Sequence, residues 1–376
     1  MKPRAAAALR PLPPEHTDLR QALRNFKRLS RRAQLQLAHE IALTRGAELC
    51  LAYRNLVAVS SGYRTRRAGP GAQPRVYREP CVGFIVYRKW GAPARVDNPQ
   101  ALPRQLFAFG DIDGTRLLCA VPTDVRACSD YGRPVPHDGD GAVPFGVLVD
   151  SPAASDFASG VVTCAVHRPA APATPFVMSC RHVLSCTDLV TDPDGSGLQV
   201  LLGTASRPTL GTTTALRGRL GDENAFSFDA QLATVGNPQA LQRAKGGLSF
   251  DADDSFIAQP GDIEGGFWIA TGRSDANGKR VLVWVDYQDT VENFRMDYKI
   301  EGRMTTVVHR LVLHGVPEDT LQDGDSGSPA VRVRRGQRLI GMYIGGNPGH
   351  AYVIPAWQLM TPLNFGKPVE AGWMLV

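Results

Sequence analysis

LQDGDSGSPAV, residues 321–331, sets glycines on either side of a single serine just before an apolar run. Glycine tolerates backbone angles that other residues avoid, so Gly324 and Gly327 let a tight turn aim consecutive N–H groups at one point. A serine that attacks a carbonyl needs such donors for the developing oxyanion. It also needs a base to take its proton and a third group to orient that base. Taken alone, G-D-S-G is a set of ordinary turn residues joining two strands. The rest of the chain has to decide between the two readings.

Two other segments bear on the choice. PFVMSCRHVLSC (175–186) places His182 directly after an apolar, strand-like run. FSFDAQLATV (226–235) places Asp229 at the head of an alternating strand, with Ala230, Leu232 and Val235 available for a core. By itself His182 reads as a buried, hydrogen-bonded core histidine. Asp229 has acidic neighbours in Asp222, Asp251, Asp253 and Asp254, but among these only Asp229 heads such a strand. Cys180 and Cys186 flank His182, yet no second His or Cys pair stands at ligand spacing, so structural thiols are expected and no metal. His137, His167, His309, His314 and His350 are scattered singly and receive no role, and GGNPGH (345–350) lacks the strand-to-helix setting of a phosphate loop.

Together the segments resemble the chymotrypsin/trypsin-like serine peptidases, with His, Asp and Ser in that chain order and a G-D-S-G-[GS]-P box around the serine. The resemblance covers about residues 150–365 and implies two β-barrels with the site between them. It implies His182 as general base, Asp229 as its orienter, Ser326 as nucleophile, and the Gly324 and Ser326 amides as the oxyanion hole. It also implies that GMYIGGN (341–347) lines the cleft by pairing with extended peptide, with Gly345 and Gly346 on that strand and Thr320 at the base of the primary pocket. Thr320 is uncharged, so no preference for Arg or Lys is implied. Val183 stands where secreted members carry a disulfide-bonded Cys, and the residues before the box are more similar to bacterial and plant trypsin-like proteins of an intracellular type than to digestive enzymes.

Composition fits a folded protein: 376 residues, 43% hydrophobic and 21% charged, enough for two domains and a sizeable core without disulfide staples. Seven cysteines without C-x-x-C spacing read as reduced thiols, and the start MKPRAAAALRPLPPEHTDLRQ has no apolar segment long enough for a signal peptide. Its Arg-rich opening is similar to a transit peptide only in part, because Glu15, Asp18 and Glu40 interrupt it. A cytoplasmic protein without a membrane span is expected. The net charge of +6 gathers in RNFKRLSRR and GYRTRRAGPGAQPR. A regulatory partner at this basic end is an expectation; nucleic acid is disfavoured because interleaved aromatics are missing.

Three regions are expected. Residues 1–54 form a basic helical segment, with Leu19, Leu23, Phe26, Leu29, Leu37 and Ile41 at helical steps and Thr17 or Asp18 as N-cap. Residues 55–148 form a small α/β or strand-rich module, and 149–376 a trypsin-like domain of short, closely spaced strands ending in a helix over 356–366. The strand spacing points to a mainly β fold, a barrel or a sandwich, and the resemblance implies a chymotrypsin-like double β-barrel behind a helical segment and a small module. The functional expectation is a serine endopeptidase acting through an acyl-enzyme on protein or peptide, without cofactor; the alternative is a catalytically silent trypsin-fold module that binds a partner through its basic end. Asp325 is expected to find an internal donor in the uncut chain, because a buried unpaired carboxylate is costly.

Overall fold

The computed structural model describes residues 18–66, 75–89, 100–131, 134–136, 143–149, 158–185, 196–221, 226–250, 262–300, 303–333, 337–347, 349–365 and 372–376. Cys186, His137, Asp222, Asp251, Asp253 and Asp254 lie outside these. No helix among the described residues is long and apolar enough to cross a membrane. The chain divides into two compact units, Met1–Asp130 and Tyr131–Val376.

In the first unit, helices α1 (Leu19–Arg28) and α2 (Arg31–Ala52) precede strands β1 (Leu56–Arg66), β2 (Arg75–Val86), β3 (Gln105–Ile112) and β4 (Thr115–Ala127). Asp18 caps α1 by accepting Gln21 N–H at 3.0 Å, and Ser30 caps α2 by accepting Ala33 N–H at 3.2 Å. The strands lie in the order β1-β2-β4-β3, with only β2 and β4 parallel. Asp113 and Gly114 turn β3 into β4 with φ of 53° and 76°, the paired positive values that a D-G hairpin turn supplies. Phe26, Leu37, Ile41 and Leu49 from the helices and Leu29 at the α1 C-cap share one core with Val59, Val82, Phe84, Leu106 and Val121 from the strands. The expectation set residues 1–54 apart from 55–148 and put the boundary near 148. In the structure the helices bury their apolar stripes on the sheet, and the second compact unit begins at Tyr131.

The second unit contains β5 (Gly146–Val149), β6 (Ala158–Val161), β7 (Cys164–Arg168), β8 (Ala171–Ser179), the single turn α3 (Arg181–Leu184), β9 (Gln199–Leu202), β10 (Thr209–Arg217), β11 (Gln231–Thr234) and α4 (Pro238–Lys245). Then come β12 (Phe267–Ser274), β13 (Arg280–Ile300), β14 (Arg303–Pro317), β15 (Pro329–Val333), β16 (Gln337–Asn347), β17 (His350–Pro355), α5 (Ala356–Leu359) and β18 (Met374–Leu375). One sheet runs β18-β7-β8-β11-β10-β9-β5-β6. In the other, β12-β15-β16-β17-β14-β13 are neighbours, and β12 also pairs with β13, so the strands close on themselves. Closure leaves none of these strands as a bare edge. Ile269, Val283, Val312, Ala330, Ile340, Met342 and Val353 of these strands are buried. The mainly β expectation is met, and the two sheets are consistent with a chymotrypsin-like β fold. The helix expected over 356–366 is only the turn α5 followed by a 3-10 turn at Pro362–Phe365, since Pro362 cannot donate within a continuing helix.

Candidate active site

Strand pairing brings His182 and Asp229 together. β8 and β11 run antiparallel with Ser179 opposite Gln231, so the residues just after β8 meet those just before β11. The His182 N–H donates to Asp229 Oδ1 at 3.1 Å, and the ring Nδ1 lies 2.5 Å from Asp229 Oδ2. A neutral imidazole that donates through Nδ1 carries its lone pair on Nε2. Asp229 is fully buried. Burial opposes its ionisation, but the charge and hydrogen bonds of His182, with His309 beyond, outweigh it and hold the carboxyl below the usual carboxylate range. Strand β11 is not alternating as expected: Gln231 also points inward, bonding Ser185 Oγ and donating to Thr214 O at 2.9 Å.

Ser326 sits in the turn before β15, and its loop is clamped from both sheets. Val161 N–H donates to Ser326 O at 2.8 Å and Thr163 Oγ1 to Gly327 O at 2.7 Å. On the other side Gly327 N–H donates to Tyr343 O at 2.8 Å, Tyr343 N–H to Ser328 O at 2.9 Å, and Ser326 Oγ to Ile344 O at 3.4 Å. The thiol of Cys180, two residues before His182, donates to Tyr343 O at 3.4 Å. The histidine loop and the serine loop thus reach adjacent residues of β16. Gly160 fits between them: a Cβ there would stand 2.6 Å from Val183 Cγ2 and 2.7 Å from Ser326 O. Gly324 and Gly327 adopt φ of 88° and 87°, as the glycine reading of the box requires.

Both side chains are more enclosed than an open cleft rim would leave them, with His182 6% and Ser326 0% exposed. Thr320 is exposed in the loop before the box, its carbonyl accepting from Arg273 Nη2 at 3.1 Å, while Gly345 and Gly346 lie at the buried end of β16. Asp325 is buried, accepts Gln322 N–H at 2.9 Å and stands 3.3 Å from Arg273 Nη2. Burial lifts its carboxyl above the ordinary range, against the pull of the Gln322 amide and Arg273. The internal partners of Asp325 therefore include the Gln322 amide and the cation of Arg273, which no motif marked.

Two further residues that sequence spacing did not reveal touch this group. Tyr298 OH donates to Asp229 Oδ2 at 2.9 Å and lies 3.0 Å from His309 Nε2. Two other histidines without an assigned role also join a network: His314 Nδ1 is 2.8 Å from Asp289 Oδ1, and its Nε2 is 2.8 Å from His350 Nδ1. Donor atoms of Cys180, His182 and Asp229 fall within 4.8 Å of one another. The Cys180 thiol and both Asp229 oxygens are also engaged in the hydrogen bonds above. Cys119 and Cys164 are buried free thiols, and burial pushes the Cys164 thiol up to about 12, leaving it inert.

No family profile and no curated protein sequence matches the chain. Among solved structures, the Rv3671c protease from M. tuberculosis, in an inactive mutant form, is similar at a TM-score of 0.33 and 16% identity, over 61% of this chain and 90% of that one. A human pathogenic astrovirus serine protease is similar at 0.27 and 11%, over 58% and 93%. The NS6 protease of murine norovirus 1 is similar at 0.25 and 14%, over 48% and 80%.

Proposed function

We propose that the second unit is a serine endopeptidase that cleaves protein or peptide substrates through an acyl-enzyme. The observation that carries this reading is the buried, carboxylate-oriented imidazole of His182, 2.5 Å from Asp229, beside a glycine-bounded serine loop locked onto the same strand. In this reading Ser326 Oγ attacks the scissile carbonyl carbon while its proton passes to His182 Nε2. Asp229 holds the ring in the Nδ1–H tautomer and stabilises the imidazolium. The Gly324 and Ser326 amides receive the oxyanion. Collapse expels the amine, which takes the proton from His182, and water repeats the sequence to release the acid and restore Ser326. Thr320, Gly345 and Gly346 contact the substrate. The buried free thiols of Cys119 and Cys164 suit a reducing compartment such as the cytoplasm, and the basic stretches of the first unit are offered as a regulatory surface. The test is labelling by a fluorophosphonate: the purified wild type should react and Ser326→Ala should not. A wild type that stays unlabelled overturns the reading.

A further inference from the structure

We propose that Tyr298 and His309 are positioning residues for the Asp229–His182 pair, a role that rests on the peptidase reading above. A phenol has one proton to give, and Tyr298 gives it to Asp229 Oδ2 at 2.9 Å. Its 3.0 Å contact with His309 Nε2 must then be accepted, which fixes the proton of His309 on Nε2. The result is a directed chain in which His309 donates to Tyr298, Tyr298 to Asp229, and Asp229 accepts both donors of His182. The Tyr298 ring also stands edge-on to His182, with centroids 5.7 Å apart. β14 grips the aspartate segment directly as well, since Ser227 N–H donates to Val308 O at 2.7 Å. The closed set of strands therefore supplies both the serine loop and the groups that aim the carboxylate of the other sheet. Burial drives His309 down to about 4, so the ring stays neutral and keeps a lone proton to direct. Among the described residues, Tyr298, His309 and Cys180 are titratable groups close to Asp229 and His182, and the guanidinium of the neighbouring Arg181 donates to Gly218 O at 2.9 Å.

Withdrawing the phenol proton from Asp229 leaves more negative charge facing His182 and stabilises its protonated form. In Tyr298→Phe the rate of fluorophosphonate labelling should fall roughly ten-fold on its plateau, and its acid limb should move to higher pH by up to about one unit. His309→Leu should move the limb the same way, whereas His309→Gln, whose amide still donates to Tyr298, should keep the wild-type limb. A purely structural role lowers the plateau and leaves the limb in place, and that result overturns the proposal. A wild type that does not label removes the peptidase reading itself, a distinct outcome.

A different contact carries a second inference: the chain's own Pro134–Pro136 occupies the peptide-pairing edge of β16 and restrains the same site. Val135 N–H donates to Gly346 O at 3.0 Å and Gly346 N–H to Val135 O at 2.9 Å, a two-bond antiparallel bridge. Backbone groups two residues apart on a strand point to one edge, and Ile344 O, two residues back, is the acceptor of Ser326 Oγ. The segment is anchored by Tyr131, whose OH donates to Asp289 Oδ2 at 2.7 Å and whose carbonyl accepts from Tyr352 OH at 2.6 Å. Asp297 N–H donates to Pro134 O at 3.1 Å. Gly345 admits the segment, because a Cβ there would stand 2.7 Å from Pro136 Cα. An extended peptide in trans must displace this bridge, so its apparent affinity is reduced by the fraction of molecules in which the edge is open.

Val135→Pro deletes one bridge donor. Its hydrolysis of a positional-scanning library of fluorogenic peptides should exceed the wild type roughly ten-fold, while labelling by the small fluorophosphonate, which needs no strand pairing, stays unchanged. Tyr131→Phe should act in the same direction. No gain against any library member, with labelling intact, overturns the inference, and loss of labelling shows the segment to be structural support instead. Absence of labelling in the wild type strikes the peptidase reading and is read separately.

Discussion

Arg273 Nη2 lies 3.3 Å from Asp325 Oδ2, so the residue before the candidate nucleophile finds its cationic partner within the uncut chain. The full-length protein should therefore label at Ser326 without cleavage, as intact mass spectrometry will show. Arg273→Met strips the charge from a buried carboxylate, a loss on the order of 1–3 kcal/mol moderated by the partial exposure of the arginine. Labelling should slow about ten-fold. Label found only on a shortened chain with a new N-terminus would show instead that the protein is a zymogen.

Ser326→Ala and His182→Ala should each abolish hydrolysis. The double variant should be no worse than either single one, since nucleophile and base act as a unit. Multiplying losses in the double-mutant cycle would separate the two residues and sink the mechanism.

Asp229→Asn should lower the rate on the order of 10⁴-fold near neutral pH, because an amide cannot hold the Nδ1–H tautomer in the same way. The carboxyl also contributes to stability. With its folded-state value depressed, that contribution is present above the unfolded value and is lost as pH falls through the folded one. The thermal midpoint of the wild type should thus fall more steeply in strong acid than that of Asp229→Asn, as calorimetry at pH 2 to 5 will test.

Each unit holds a buried histidine that burial drives down to about 4, His39 in the first and His309 in the second. Above the unfolded value of about 6.5 neither affects stability. Below it the unfolded chain takes up a proton that the folded ring refuses, so stability declines from there to about 4, by up to ~3 kcal/mol per histidine. His39 Nδ1 lies 3.2 Å from Ser61 Oγ, and Asn can take its place in that hydrogen bond. His39→Asn should flatten the decline of the thermal midpoint between pH 6.5 and 4. An unaltered slope would mean that His39 does not resist protonation in the folded protein.

A chain beginning at residue 148 should be less soluble and less stable than one beginning at 131. The shorter chain loses Tyr131, the Gly146 and Val147 ends of the β5 pairing, and Val143, whose carbonyl accepts Gly146 N–H at 2.8 Å. Equal melting behaviour of the two would place the boundary at 148 after all.

The sequence by itself determined what is local. Thr17 or Asp18 before an apolar helical stripe marked the start of α1, short Val- and Ile-rich runs marked the strands, and the glycines of LQDGDSGSPAV marked a turn whose positive φ angles they meet. It also singled out His182 and Asp229, which the register of β8 and β11 brings within 2.5 Å. Only the tertiary structure decided the closure of β12 on β13, the core shared by α1, α2 and β1–β4, and the approach of Arg273 to Asp325, Tyr298 and His309 to Asp229, and Val135 to Gly346. The physical reason is that a hydrogen bond or ion pair between residues far apart in the chain leaves no period or spacing to read. Which donor meets which acceptor is set by how strands pair and sheets stack, and buried polar groups then make every partner that geometry offers.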